Sequence, residues 1–331
     1  MTLVEEFVVA FGVWEVAWPY IHMIVDEQEM ELIVGMQDRP MTVDEVADLL
    51  EMTRDRASDF LYRCYRRCIV NKTGAGEGAQ YTPADFGARL DHFAKYENWD
   101  DIPAHARKAI DRRFLDEFIS KHRSNVQRKM LGLASEDTLP NDTVLLLGEV
   151  EEMIEAASDI VVQPCDCRRL GQNCDRPVEV CIWLDEGARE ALDRGYGRRL
   201  TKEEAKDLVR WADRKGLMHT ADSEWQERGL HAICNCCACD CYPFRAAQEL
   251  NSKGVWPRSR YVAVYDQERC NFCGTCVRRC FFSAFYHDDS MVEVGGNTRK
   301  GVCFDPDACW GCGLCVSTCP EGAITMRQLG G

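Results

Sequence analysis

Cys270-Asn271-Phe272-Cys273-Gly274-Thr275-Cys276-Val277-Arg278-Arg279-Cys280 and Cys309-Trp310-Gly311-Cys312-Gly313-Leu314-Cys315-Val316-Ser317-Thr318-Cys319-Pro320 decide the reading of this chain. In each stretch three cysteines stand two residues apart and a fourth follows after three more. Three thiolates at that spacing on one loop can all turn inward and wrap one corner of an iron–sulfur cubane. Zinc sites mostly use separate C-x2-C pairs and need only four ligands. Two complete runs therefore favour two [4Fe–4S] clusters over zinc, and electron transfer becomes the leading chemistry.

At these residues the chain resembles the bacterial-type two-cluster ferredoxins, over about residues 260–328. In that family the fourth cysteine of each run ligates the other cluster. The resemblance implies Cys270, Cys273, Cys276 and Cys319 for the first cluster, and Cys309, Cys312, Cys315 and Cys280 for the second. One departure is visible: the first run ends in Cys280-Phe281 where the family has Cys-Pro, which alters the local turn and exposure without removing a ligand. Gly295, Gly296 and Asn297 mark an inserted hairpin tip between the runs. Cys303, on the returning strand Gly301 to Asp305, reads as a packed residue rather than a ligand.

The chain has 331 residues, enough for two or three domains, and 20 cysteines. The opening Met1-Thr2-Leu3-Val4-Glu5-Glu6 lacks a basic segment and a small-residue cleavage site, so reduced, metal-binding thiolates in an anaerobic or microaerobic cytoplasm are expected rather than disulfides. The apolar stretch Phe7 to Val25 contains Glu15, Pro19 and His22, and reads as a buried or interface helix rather than a membrane span. Its Trp14, Trp18 and Tyr20 make it a candidate docking surface. A net charge of −15 disfavours non-specific nucleic-acid binding. Residues 1–50 carry eleven acids and one base, whereas residues 51–150 balance at sixteen of each.

The expected fold class is α+β, in four parts. Residues 1–90 form an N-terminal helix plus a winged-helix-like domain, 91–160 a helical connector, 161–258 a central cysteine-rich α+β module, and 259–331 a ferredoxin-like two-cluster domain. In the first part, Asp26 to Met36 reads as one helix, Thr42 with Glu45 caps the next, and Arg54 to about Cys68 is the third. Ile69 to Thr82, with Gly74 to Gly78 at the tip, reads as a hairpin wing. Arg54, Arg56, Arg63, Arg66, Arg67 and Lys72 would suit DNA, but the preceding acidic helices oppose it, and such folds also serve as protein-interaction modules. Further on, Thr201 with Glu204 starts a helix that stops at Gly216.

The central module holds nine cysteines in two parts: Cys165, Cys167, Cys174 and Cys181, then Cys234, Cys236, Cys237, Cys239 and Cys241. Nine thiols suffice for two cubanes, or for one with extra structural or redox-active thiols. Spacings as tight as C-x-C and Cys-Cys cannot turn every sulfur to one face. At least one further [4Fe–4S] cluster is expected, with zinc or a dithiol centre as the alternatives. Arg168 and Arg169 are expected beside the thiolates, where they would shift the potential. His219 and His231 are weaker candidates.

The combination of Pro164-Cys165-Asp166-Cys167-Arg168-Arg169, Ile233-Cys234-Asn235-Cys236-Cys237 and the terminal runs is similar to a group of multi-domain 4Fe–4S dicluster proteins from anaerobes. That resemblance implies an iron–sulfur subunit exchanging electrons with a larger oxidoreductase. The expected partner is a flavoprotein or metalloenzyme. Two rival readings remain at this level: a redox-sensing transcription regulator using the winged helix, and an enzyme whose central cluster has an iron open to substrate.

Overall fold

The computed structural model describes residues 1–133 and 139–330 and mixes helices with antiparallel strands. It divides into two compact units: Met1–Glu117 with Arg169–Gly171, and Phe118–Arg168 with residues from Gln172 onward. Among the described residues, no helix is long and apolar enough to cross a membrane.

In the first unit the helices Glu27–Met36, Val43–Leu49 and Arg54–Arg66 are followed by a hairpin of β1 (Val70–Thr73) and β2 (Gln80–Pro83). Each helix begins where its cap dictates. Asp26 and Thr42 accept the amides of Glu29 and Glu45, whose carboxylates return to the cap amides. Met30, Leu32, Ile33, Val46, Leu61 and Ile69 fill the core. The stretch Phe7 to Val25 is not the single helix expected of it. Leu3–Ala10 is helical, Gly12 at φ 64 ends it, and a 3-10 turn over Glu15–Tyr20 carries Pro19. Trp14 is core, edge-on to Phe86 and Phe114, so only Trp18 keeps a large exposed ring there.

A buried ion network crosses this unit. Arg89, fully buried, donates to both carboxylate oxygens of Glu97 at 2.8 and 2.7 Å and to the Ile24 carbonyl at 2.9 Å. Burial pushes the Glu97 carboxyl up, but the bonds from His92 and Arg89 outweigh it and bring it to about 2.

The second unit is organised by a six-stranded antiparallel sheet. Its strands are β3 (Thr143–Leu145), β4 (Ile160–Pro164), β5 (Glu179–Leu184), β6 (Arg198–Arg199), β7 (Met218–Ala221) and β8 (Ala232–Cys236), in the order β3-β7-β8-β5-β4-β6. One face buries Ile160, Val162, Ile182, Leu184 and Ile233 under the helices Leu147–Ala156 and Lys202–Arg214. The alternation of a strand then sends Cys181, Cys234 and Cys236 to the opposite face, where they pack with the remaining cysteines and with Met218.

The C-terminal part adds β9 (Tyr261–Tyr265), β10 (Phe285–Val294), β11 (Asn297–Phe304) and β12 (Ile324–Gln328). β9 pairs with β12 and β10 with β11. Each cysteine run lies between a strand of one pair and a strand of the other. Val294 faces Asn297 across the two-residue tip Gly295-Gly296, both glycines having positive φ, as a tight hairpin turn requires. Cys303 is not packed in a core. It is half-exposed on this hairpin and its Sγ donates to Asp288 at 3.2 Å.

Candidate iron–sulfur centres

The two terminal runs are copies of one local design at an offset of 39 residues, so that Cys270, Cys273, Cys276 and Cys280 recur as Cys309, Cys312, Cys315 and Cys319. Backbone conformation repeats with them. Phe272 and Gly311 have φ 56 and 67, Gly274 and Gly313 have 68 and 76, and Ser283 and Gly322 have 55 and 57. These left-handed residues turn amides onto sulfur. Phe272 N–H donates to Cys270 Sγ at 3.2 Å and Gly311 N–H to Cys309 Sγ at 3.4 Å. Ala284 N–H donates to Cys280 Sγ at 3.3 Å and Ala323 N–H to Cys319 Sγ at 3.2 Å. Amide-to-sulfur bonds of this kind set the electronic properties of an iron–sulfur centre.

Cys270, Cys273, Cys276 and Cys319 line one pocket with Tyr265 and Ile324. Cys312 and Cys315 are half-buried and feel the thiols of Cys309 and Cys280, which makes a second group. Burial pushes the Cys312 thiol up to about 12 and Cys276 to about 11. Sulfurs so placed ionise only against a cationic centre. Four cysteines per group, with amides donating to Cys270 and Cys319 in one and to Cys309 and Cys280 in the other, fit a cubane.

Phe281 occupies the place of the missing proline. Its ring lies under the Arg176 guanidinium at 4.5 Å and packs against the apolar cluster of Cys165, Cys181 and Cys237. Next to it Phe282 stacks on Trp310, centroids 4.5 Å apart. The neighbouring Arg279 donates to the Arg214 carbonyl at 2.9 Å and pairs with the buried Asp213, which also accepts from Ser317 at 2.6 Å. At the far edge, Arg260 and Tyr261 both reach Glu149, at 2.8 and 3.1 Å. The terminal runs are thus bound to the central module by aromatic packing and by two carboxylates.

In the central module the nine thiols separate into two groups. Six form one chain of hydrogen-bonded sulfurs, in the order Cys167, Cys165, Cys181, Cys234, Cys236, Cys241. The last link is 3.3 Å long, and Thr220 Oγ1 touches Cys236 Sγ at 3.4 Å. Bonds from Cys167 and Cys181, with the Arg168 charge adding to them, hold the Cys165 thiol well below its ordinary value. Bonds from Cys234 and Cys241 do the same for Cys236. The four donors are pushed up. The remaining three, Cys174, Cys237 and Cys239, lie together at the start of the loop after Asp166–Gly171 and in the turn before Tyr242–Leu250.

Arg168 is buried among these groups. It donates to the carbonyls of Pro177 and, at 2.7 Å, Asn235, and hydrogen-bonds Cys237. Arg169 is not beside the thiolates as expected, because its side chain donates to the Ala94 carbonyl at 2.8 Å and pairs with Asp100. His219 Nδ1 meets Asn235 Oδ1 at 2.7 Å on the sheet face that turns away from the sulfurs, and burial lowers its pKa. His231 stacks edge-on against Trp183. Asp240 and Asn173 escaped the sequence reading, and of Phe281 it gave the altered turn but not the contacts. Asp240 carried one visible signal, its place between Cys239 and Cys241.

Two comparisons bear on these centres. The family described as a 4Fe-4S dicluster domain matches residues 269–323. No curated protein matches the chain. The matched segment holds both terminal runs, so the C-terminal part is an iron–sulfur dicluster region, and the central thiols lie outside the match.

Proposed function

We propose that the protein carries electrons through three [4Fe–4S] clusters, as the iron–sulfur subunit or dedicated donor and acceptor of a larger oxidoreductase. Cys270, Cys273, Cys276 and Cys319 hold the first cluster, Cys309, Cys312, Cys315 and Cys280 the second. Four of the six chained thiols Cys165, Cys167, Cys181, Cys234, Cys236 and Cys241 hold the third. Bound there, the clusters supply one-electron chemistry at low potential. The chain's own residues ligate, exclude water and direct amides and Arg168 at sulfur.

The observation that carries this reading is the continuity of the apolar core. Cys236 and Cys241 share one cluster of side chains with Trp310 and Leu314, against which Cys234, Phe281, Phe282 and Cys312 also pack. Terminal and central thiols are therefore joined by packed apolar side chains, which suits electron passage. The expected partner is a flavoprotein or metalloenzyme, and the N-terminal helices and hairpin, read as a winged helix, would be a docking module. DNA suits that module less well. Arg54 is paired to Asp44 at 2.7 Å and Arg63 to Asp26 at 3.3 Å, so these two basic residues of the third helix already face acids.

Dithionite reduction of anaerobically purified protein, followed by EPR spin integration, tests the reading. About three interacting spins per chain are expected. Isolated signals that integrate to two spins, unchanged by Cys241→Ser, would confine electron transfer to the terminal domain.

A further inference from the structure

Cys174, Cys237 and Cys239 stand apart from the six-sulfur chain and form a compact set, their ligand atoms all within 4.8 Å of one another. Cys174 Sγ and Cys237 Sγ are 3.7 Å apart. A fourth group faces them. Asp240, 0 % exposed, directs Oδ2 to Cys174 Sγ at 3.2 Å and to Cys237 Sγ at 3.7 Å. Its other oxygen, Oδ1, accepts both the backbone N–H and the side-chain Nδ2 of Asn173, each at 2.9 Å. The carboxylate is thereby clamped with one oxygen turned onto the thiols.

The spacings among Cys174, Cys237 and Asp240 match a single tetrahedral ion, and Cys239 lies within 4.8 Å of both other sulfurs. Metal–sulfur bonds of about 2.3 Å and metal–oxygen bonds of about 2.0 Å at tetrahedral angles place sulfurs about 3.8 Å apart and sulfur and oxygen about 3.5 Å apart. A cubane puts each thiolate on a different iron and spreads the sulfurs farther. Among the described residues, the terminal cysteines form no set as compact as Cys174, Cys237 and Cys239. The six-sulfur chain has one group as compact, Cys165 and Cys181 with the Asp166 carboxylate, but no three of its thiols are mutually as near.

We propose that Cys174, Cys237, Cys239 and Asp240 form a closed, structural zinc-type site. The second shell suits it. Arg176 N–H bonds to Cys174 Sγ and Asp240 N–H to Cys237 Sγ, while the buried Arg168 guanidinium on Cys237 offsets the excess negative charge of three thiolates and a carboxylate on a divalent ion. The ion would pin the loop after Asp166–Gly171 to the turn before Tyr242–Leu250, fixing Cys165 and Cys167 opposite Cys236 and Cys241. The inference goes beyond the electron-transfer reading and stands without it, because zinc and iron are counted separately.

The test is metal analysis of the full-length protein, purified anaerobically without added zinc. About one zinc per chain is expected beside the iron. Asp240→Ala and Cys239→Ser should cut zinc about fivefold or more while leaving the EPR of the terminal clusters in place. Asp240→Cys, which supplies a fourth thiolate, should keep the ion. Cobalt loaded in its place should show stronger sulfur-to-cobalt charge transfer in Asp240→Cys than in the parent protein. Zinc absent from the parent, zinc unmoved by Asp240→Ala and Cys239→Ser, or iron lost from these variants in its place would overturn the assignment.

Discussion

The terminal dicluster region and the central module use the same ligand, cysteine, in opposite ways. In the terminal region each loop supplies three neighbouring sulfurs, and the amides of Phe272 and Gly311 repeat the same contacts 39 residues apart. Ligand geometry there is a property of short peptides. In the central module the sulfurs come from separate segments, and Cys181 and Cys234 meet only because β5 and β8 pair at Ile182 and Ile233. Ligand geometry there is a property of the sheet. The first kind of site should survive damage elsewhere in the fold, whereas the second should fail whenever register or packing fails.

That contrast can be broken most severely at the ligands. Cys273→Ser should remove about four irons and leave the zinc and the central signal intact, because the terminal ligands do not depend on the central sheet. Cys181→Ser should remove a comparable number of irons and also loosen the sheet, seen as faster amide exchange in β5 and β8. Equal loosening by both variants would contradict the comparison.

Next in size is the contact at Asp213. Asp213→Ala removes the carboxylate that pairs with Arg279 and accepts from Ser317 but leaves Arg279 its carbonyl bonds, and should cost roughly 1–3 kcal/mol in denaturant unfolding. Phe281→Ala should cost about 1–3 kcal/mol, less than a fully buried phenylalanine because the ring is only partly covered. It should also weaken the spin coupling between central and terminal clusters without loss of iron. Unchanged coupling would mean that Phe281 does not lie between them.

The smallest effect lies outside both cysteine regions and serves as their control. Glu97 is held at about 2 in the folded first unit, below its ordinary 4.5. A depressed carboxylate contributes stability that is present above its unfolded value and lost as pH falls from about 4.5 towards 2. His92, whose pKa burial lowers, adds a loss of the same sign as it is forced to protonate. Glu97→Gln should therefore flatten the acid unfolding of the first unit, followed by circular dichroism.

The same distinction between local and non-local geometry explains what could be read from the chain. The terminal runs, the capping boxes at Thr42 and Thr201, and the tip at Gly295-Gly296 depend on residues a few positions apart, and the structure has each of them. The stretch from Phe7 to Val25 was misread because its composition outweighed Gly12 and Pro19, which break it. Arg169 was misplaced because adjacent residues on a helix point in different directions. The division of nine thiols into six and three was illegible, since it rests on strand pairing across some fifty residues between β5 and β8. Asp240 was passed over because a carboxylate among thiols looks incidental until Asn173 is seen to aim it.

Iron and acid-labile sulfide per chain, measured on anaerobically purified protein, decide whether the central sulfur chain holds a third cluster. About twelve of each are expected. About eight of each would leave the central sulfur chain without a cluster and contradict the three-cluster reading.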